Sequence, residues 1–181
     1  DLMLHDNTAL YQAHLRSEKV NLCFVFDTEI LNALSDKKDQ RVDFLHRILL
    51  DIKETLKKLQ SDIWILHGDP KTEIPSLAKS IQADAVFANR DYEKYGVLRD
   101  ENIKKSLNLQ NISFEDYKDQ VLFEANEVLT KTSTPYSVFS PYRNNHLEKL
   151  KLTGAGRLNY KVDTINFEKF SANKMPLLAE I

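Results

Sequence analysis

The spacing of apolar residues changes several times along the chain, and each change marks an element. From Arg41 to Leu59 the residues Val42, Leu45, Ile48, Leu49, Ile52, Leu56 and Leu59 fall on one helical stripe. Short runs that are apolar on both faces stand apart from it: "VNLCFVF" at 20–26, "IWIL" at 63–66 and "AVFA" at 85–88, with "NISFEDY" at 111–117 as a last strand. Asp6 or Asn7 can cap a first helix whose apolar positions are Ala9, Leu10, Ala13 and Leu15. "HGDP" is a turn signal, and Pro70 or Pro75 opens a helix with Ile74, Leu77, Ala78 and Ile81 facing inward. A further helix runs from about Tyr92 to Leu107. Strands buried on both faces and separated by helices predict a parallel sheet with helices on both sides.

After about Asp119 the rhythm stops. "KTSTPYSVFSPYRNNHLEKLKL" holds one short helix, 141–151, and "TGAGRLNYKVDTINFEKFSANKMPLLAEI" has no sustained period. Aperiodic stretches beyond roughly 12–15 residues are uncommon inside a compact domain. Residues 1–125 therefore read as one α/β domain and 126–181 as a linker or wrapping arm. At the other end, Asp1 to His5 read as a loop leading from a strand into the first helix, with no strand before them.

Composition narrows the function classes. Across 181 residues, 25 basic side chains meet 27 acidic ones for a net charge of −2, without the basic surplus of a nucleic-acid-binding domain. Cys23 is the single cysteine, so no internal disulfide can form, and its place in "LCFVF" reads as a buried, inert thiol. No signal peptide and no apolar run approaching the roughly 20 residues of a membrane span is present, so no membrane partner is expected and a cytoplasmic setting is the default. Trp64, inside a strand, reads as core. The four glycines form neither Gly-x-Gly-x-x-Gly nor a phosphate loop, and there is no Cys-x-x-Cys, His-Glu-x-x-His or Gly-x-Ser-x-Gly. His5–Asp6 and His67/Asp69 fall short of a metal set. No catalytic residue and no metal ligand is assigned.

Three stretches are more specific. "DLMLHDNTAL" resembles the "DLRLHDNPAL" signature of the DNA photolyase and cryptochrome family. "LHGDPKTEIPSLAKSIQADAVFANRDYEKYGVLRDENI" resembles that family's Gly-Asp-Pro turn, helix, fourth strand and "N-x-D-x-E-P-Y-x-x-x-R-D" segment. "YKDQVLFEANEVLTKTSTPYSVFSPYRNNHLEKL" resembles its passage out of the α/β domain, with the "PY-x-VF-x-P(Y/F)" core. Together they cover about residues 1–152, in order. Met3 stands where the family has arginine, and Lys94 where it has proline.

The resemblance implies a Rossmann-like, doubly wound parallel sheet in the order 3-2-1-4-5, with the central first strand missing from this chain. "LCFVF" and "AVFA" would then lose their shared neighbour. Unpaired buried backbone groups cost about 1–3 kcal/mol each, and several would exceed a domain's margin of ~5–15 kcal/mol. Residues outside this sequence, another segment or another chain are expected to fill the gap. The resemblance also implies a light-driven repair lyase that splits cyclobutane pyrimidine dimers in UV-damaged DNA. FAD and the lesion would belong to a C-terminal helical domain beyond this segment, and the segment itself would hold a light-harvesting antenna: deazaflavin, methenyltetrahydrofolate or a flavin.

By the same resemblance, Phe24 and Asp27 at a strand end, Arg41 at a helix start, and Asn89, Asp91, Glu93, Tyr95 and Gly96 after "AVFA" would line the antenna pocket. These positions fall at carboxyl ends of strands, where open α/β sheets bind ligands. Arg41 pairs either with Asp91 or with an anionic ligand. Glu93 and Tyr95 serve either the pigment or helix capping and packing. Gly96 either admits a flat ring or permits a turn. A cryptochrome photosensor, a nucleotide-binding α/β module without light chemistry and a pigment-free scaffold are the alternatives.

Overall fold

The computed structural model describes residues 2–36, 38–153, 158, 160–172 and 175–181; Asp1 of the opening motif lies outside them. Asn7 caps α1 (Thr8–Arg16), its side chain accepting the Leu10 amide. Ala9, Leu10 and Ala13 are buried as the pattern requires, but Leu15 is exposed. β1 (Leu22–Asp27) leads directly into α2 (Thr28–Asn32), five residues too short to leave a period in the sequence. α3 (Gln40–Lys58) buries Leu49, Ile52 and Leu56 of the expected stripe, while Val42, Leu45, Ile48 and its C-cap Leu59 are partly buried against the same core. β2 (Ile63–Gly68) follows, then α4 (Pro70–Ser80), capped by Asp69 with Pro70 in its first turn. β3 (Ala85–Asn89), α5 (Lys94–Asn108) and β4 (Ser113–Tyr117) complete the regular part. α6 (Phe139–Thr153) begins before the expected Pro141, because proline is tolerated in a helix's first turn.

Helices α3, α4 and α5 end in the same way. Gln60, Gln82 and Asn111 adopt left-handed φ of 60°, 54° and 59°. The next amide turns back to a carbonyl five residues earlier, Ser61 to Leu56, Ala83 to Ala78 and Ile112 to Leu107, at 2.9–3.0 Å. Each closure satisfies carbonyls left open at the helix end and aims the chain into the next strand. It is made without glycine, which explains how a chain with four glycines builds so many tight reversals.

The strands form two parallel pairs. β1 pairs with β2 from Leu22↔Ile63 to Asp27↔Gly68, and β3 with β4 from Ala85↔Ser113 to Asn89↔Tyr117. These are the neighbours expected of the 3-2-1-4-5 order without its first strand, and among the described residues no strand joins the pairs. Each pair has its own core. Leu10, Ala13, Phe26, Leu49, Ile52, Leu56, Ile63 and Ile65 form the larger cluster, and Ala78, Ile103, Leu107 and Ile112 the smaller. Packing contacts span the two halves: Phe87 of β3 packs on the larger cluster, α1 lies on β3 and β4, and α4 touches both β1–β2 and α5. Cys23, read from the sequence as buried, is exposed. The protein mass around its sulfur still desolvates the thiolate and pushes the thiol's pKa up to about 11, so it stays protonated at neutral pH.

The aperiodic tail is not a free linker. Ile165 and Phe167 are 5% and 4% exposed and belong to the larger core. Beneath the tail sits a buried ion pair. Lys53, on the apolar side of α3, reaches Asp62 at 2.6 Å, with the two side chains 11% and 5% exposed. Asp62 also accepts the amides of Ile63 at 2.8 Å and Ala172 at 3.0 Å. Burial works against the carboxylate, but Lys53 and the two amides outweigh it and hold its pKa below the usual value. Among the described residues, no helix is long and apolar enough to cross a membrane.

Asp62→Asn leaves the Lys53 ammonium buried without its counter-charge and is expected to cost about 3–5 kcal/mol in chemical unfolding. Lys53→Met in the same background recovers part of that loss. Because the folded pKa is depressed, the stabilisation is complete above the unfolded value of about 3.9 and fades as pH falls through the lower folded value. A loss below about 1 kcal/mol, the range of exposed pairs, contradicts the assignment.

Candidate functional site

In open parallel sheets, ligands bind beyond the carboxyl ends of strands, where the strand order reverses. In the 3-2-1-4-5 order that the pairs β1–β2 and β3–β4 fit, the reversal falls between the two pairs, with β1 and β3 as their inner strands. Asp27 ends β1. Its Oδ1 accepts the Glu29 amide at 2.9 Å and so caps α2. Its Oδ2 accepts the Tyr95 hydroxyl at 2.6 Å, joining β1 to the first turn of α5. Burial, reinforced by the Asp27 carboxylate, raises the Tyr95 pKa well above the ordinary phenol value. The hydroxyl is therefore a permanent donor at physiological pH.

Asp91 builds the other wall. Its Oδ1 accepts the Glu93 amide at 3.0 Å, a turn that stands in for the side-chain cap Glu93 does not make. Its Oδ2 lies 3.6 Å from Arg99, whose guanidinium also bonds Asp100 at 2.8 Å and lies 6.0 Å from the centre of the Tyr95 ring. The rest of the Asp91 side chain fills the space that a Cβ on Gly96 would need: such an atom would collide with Asp91 Oδ2, Cγ and Cβ. Gly96 is thus required by Asp91, a third role beside the ring and the turn expected of it. At the rim, Lys71 at the start of α4 reaches Glu29 at 3.2 Å and Asp69 at 3.5 Å.

The other sequence candidates face elsewhere. Asn89 accepts the Ala9 amide at 2.8 Å and donates to Asn7 at 3.1 Å, clasping α1 to the end of β3. Arg41 does not pair with Asp91. It chelates Asp39, two residues before it, at 2.6–3.2 Å, and this contact lowers the Asp39 pKa to about 2. Phe24 meets Phe26 edge-on, with ring centres 5.0 Å apart, and packs on the larger core. The structure therefore gathers Asp27, Tyr95, Asp91, Glu93 and Gly96, and separates Phe24, Arg41 and Asn89 from them. Sequence reasoning passed over Arg99, although it is the arginine of the quoted "R-D" motif, and also Glu29 and Lys71, whose helix α2 left no periodic signal. Cavities of about 420 and 330 Å3 open elsewhere, at the turns before β3 and β4 and beside Thr8, Asp119 and Phe123; none of the eight candidates lines either. Tyr95, Arg99 and the carboxylates of Asp27 and Asp91 are linked in one cluster, by the Tyr95–Asp27 hydrogen bond, the Arg99–Asp91 ion pair and the Arg99 guanidinium beside the Tyr95 ring.

The sequence profile of the DNA photolyase family matches residues 1–161, and the chain belongs to that family. A deoxyribodipyrimidine photo-lyase from Synechococcus sp. is 32% identical over 181 residues, covering 100% of this chain and 37% of the relative. The structure of an archaeal photolyase from Sulfolobus tokodaii, described with two FAD molecules and a novel light-harvesting cofactor, is 25% identical with a TM-score of 0.65 over 80% of this chain and 32% of that one. A class III photolyase from Agrobacterium tumefaciens shares the fold with a TM-score of 0.73 at 22% identity, over 99% of this chain and 36% of that one. The chain thus spans about a third of the length of these relatives.

Gly96→Ala is expected to cost about 1–3 kcal/mol by forcing Asp91 aside. Asp91→Ala should remove most of that cost, which a double-mutant cycle in thermal unfolding measures as coupling. Costs that simply add would show that something other than Asp91 requires the glycine.

Proposed function

We propose that this chain is the light-harvesting front domain of a deoxyribodipyrimidine photolyase. The whole protein would use blue or near-ultraviolet light to split cyclobutane pyrimidine dimers in DNA. FAD and the lesion would bind a C-terminal helical domain, in line with the greater length of the relatives. This domain would hold the antenna pigment at the β1/β3 reversal. Excitation energy crosses to the flavin through space, so the site needs to bind and orient the pigment but not to react with it. Asp27 and Tyr95 are the anchoring pair of this reading, Tyr95 and Arg99 its flat wall, and Asp91 with Gly96 the turn that holds the wall in place. Phe24, Arg41 and Asn89 act at a distance, through the core and the two capped helices. The reading is supported above all by the Asp27–Tyr95 hydrogen bond, which ties the carboxyl end of β1 to the start of α5 in a chain of this family.

The test is pigment content. The whole protein, extracted and chromatographed, should yield a second chromophore besides the flavin of the helical domain, with its own near-ultraviolet or blue band. Tyr95→Phe should weaken retention of that pigment about tenfold, which corresponds to about 1.4 kcal/mol. A protein that carries one flavin only, and refuses added deazaflavin, folate and flavin mononucleotide, contradicts the antenna role.

A further inference from the structure

The chain after β4 is held in two different ways. α6 has no buried residue. It is attached through Lys149 to the Glu127 carbonyl, through Asn145 to Tyr136 at 2.8 Å, and by the rings of Tyr142 and His146. Residues 166–172 have almost no regular structure, yet they are pinned across the amino ends of β1 and β2. Val20 donates to the Asn166 carbonyl at 2.9 Å and accepts from the Glu168 amide at 2.8 Å, a parallel bridge. The Ser61 hydroxyl donates to the Glu168 carbonyl at 2.7 Å. The Ala172 amide donates to Asp62 at 3.0 Å. Phe170 stacks on Trp64 with ring centres 4.8 Å apart, and Lys19 reaches Glu168 at 2.9 Å. Four of these anchors are main-chain groups. A slip of one residue would break all four, so the segment is held in register as well as in place.

The anchor points Val20, Ser61 and Asp62 stand immediately before β1 and β2, and Asp27 stands at the far end of β1. Six residues of paired strand, about 20 Å, connect strap and site as one stiff body. We propose that residues 166–172 are a registration strap that fixes where the polypeptide beyond Ile181 stands relative to the Asp27–Tyr95 site. Asp62 and Ser61 are its positioning residues. They touch no pigment and act by holding the strap's main chain. The last residues continue the attachment: His46 meets the Pro176 carbonyl at 3.0 Å, and Ile181 packs on the larger core. The strap, and not α6, sets the geometry between the two domains. This rests on the reading that a flavin domain follows, since energy transfer depends on the separation and mutual orientation of the two pigments.

Ala172→Pro deletes one strap amide while leaving the Lys53–Asp62 pair intact, and Ser61→Ala deletes the other side-chain anchor without adding strain. In the whole protein, each should raise hydrogen exchange at the Glu168 amide about tenfold or more. Each should also broaden the distance distribution between a spin label at exposed Glu101 on α5 and one on the second domain, with flavin content unchanged. Removing contacts of α6 by Asn145→Ala should leave that distribution as it was. Faster exchange with an unaltered distance overturns the proposal, as does a wild-type strap that exchanges at the rate of free chain. A wild-type protein with no flavin and no second domain overturns the functional reading as well, and its spectrum reveals this before any variant is made.

Discussion

Among the described residues the two parallel strand pairs share no hydrogen-bond ladder, and the other features of the domain answer to that constraint. A continuous sheet transmits position through its backbone. Here the halves communicate through side chains and crossing helices: Tyr95 to Asp27, Asn89 to the start of α1, Phe87 into the larger core, and α4 from one pair to the helix that covers the other. The Asp27–Tyr95 bond is therefore both a structural tie and the centre of the candidate site. A ligand bound there would touch both halves at once, so binding and the alignment of the strand pairs are coupled by geometry.

At the opposite end of the strands, the tie is ionic. Lys53 and Asp62 are taken out of water together, and Asp62 spends its remaining acceptor capacity on two amides, one of them from the strap. A buried pair of this kind is a poor source of net stability, but removing either partner alone leaves an uncompensated buried charge. The domain thus has a polar fastening at each end of the β1–β2 pair, Asp27–Tyr95 at the end of β1 and Lys53–Asp62 at the start of β2.

Much of the architecture was legible in the sequence, because it depends on periodicity. The stripe of α3 and the doubly apolar strands have one reading each. α2 was not legible, since five residues cannot display a period and its main signal is Asp27 acting as a cap. The tail was legible only as a linker or wrapping arm, because its burial is extended and irregular; the alternation of Ile165 and Phe167 in "INF" is the clue to where it packs. At the site, residue types and chain positions were legible through the family motifs, but partnerships were not. Arg41 finds Asp39, two residues away, and Asp91 occupies the space beside Gly96, contacts that no spacing rule singles out. Lys53 escaped notice because a lysine in an apolar stripe usually carries its charge out to solvent, and here it meets Asp62 instead.

Under the proposed function, a pigment would stand at the Asp27–Tyr95 site in fixed relation to a flavin carried by the rest of the protein. The action spectrum of dimer repair tests this most directly. If the account is right, repair per absorbed photon rises in a band that the flavin's own absorption does not supply, and that band fades when Tyr95 or Asp27 is altered. An action spectrum that follows the flavin alone, in the native protein supplied with each pigment class, would contradict it.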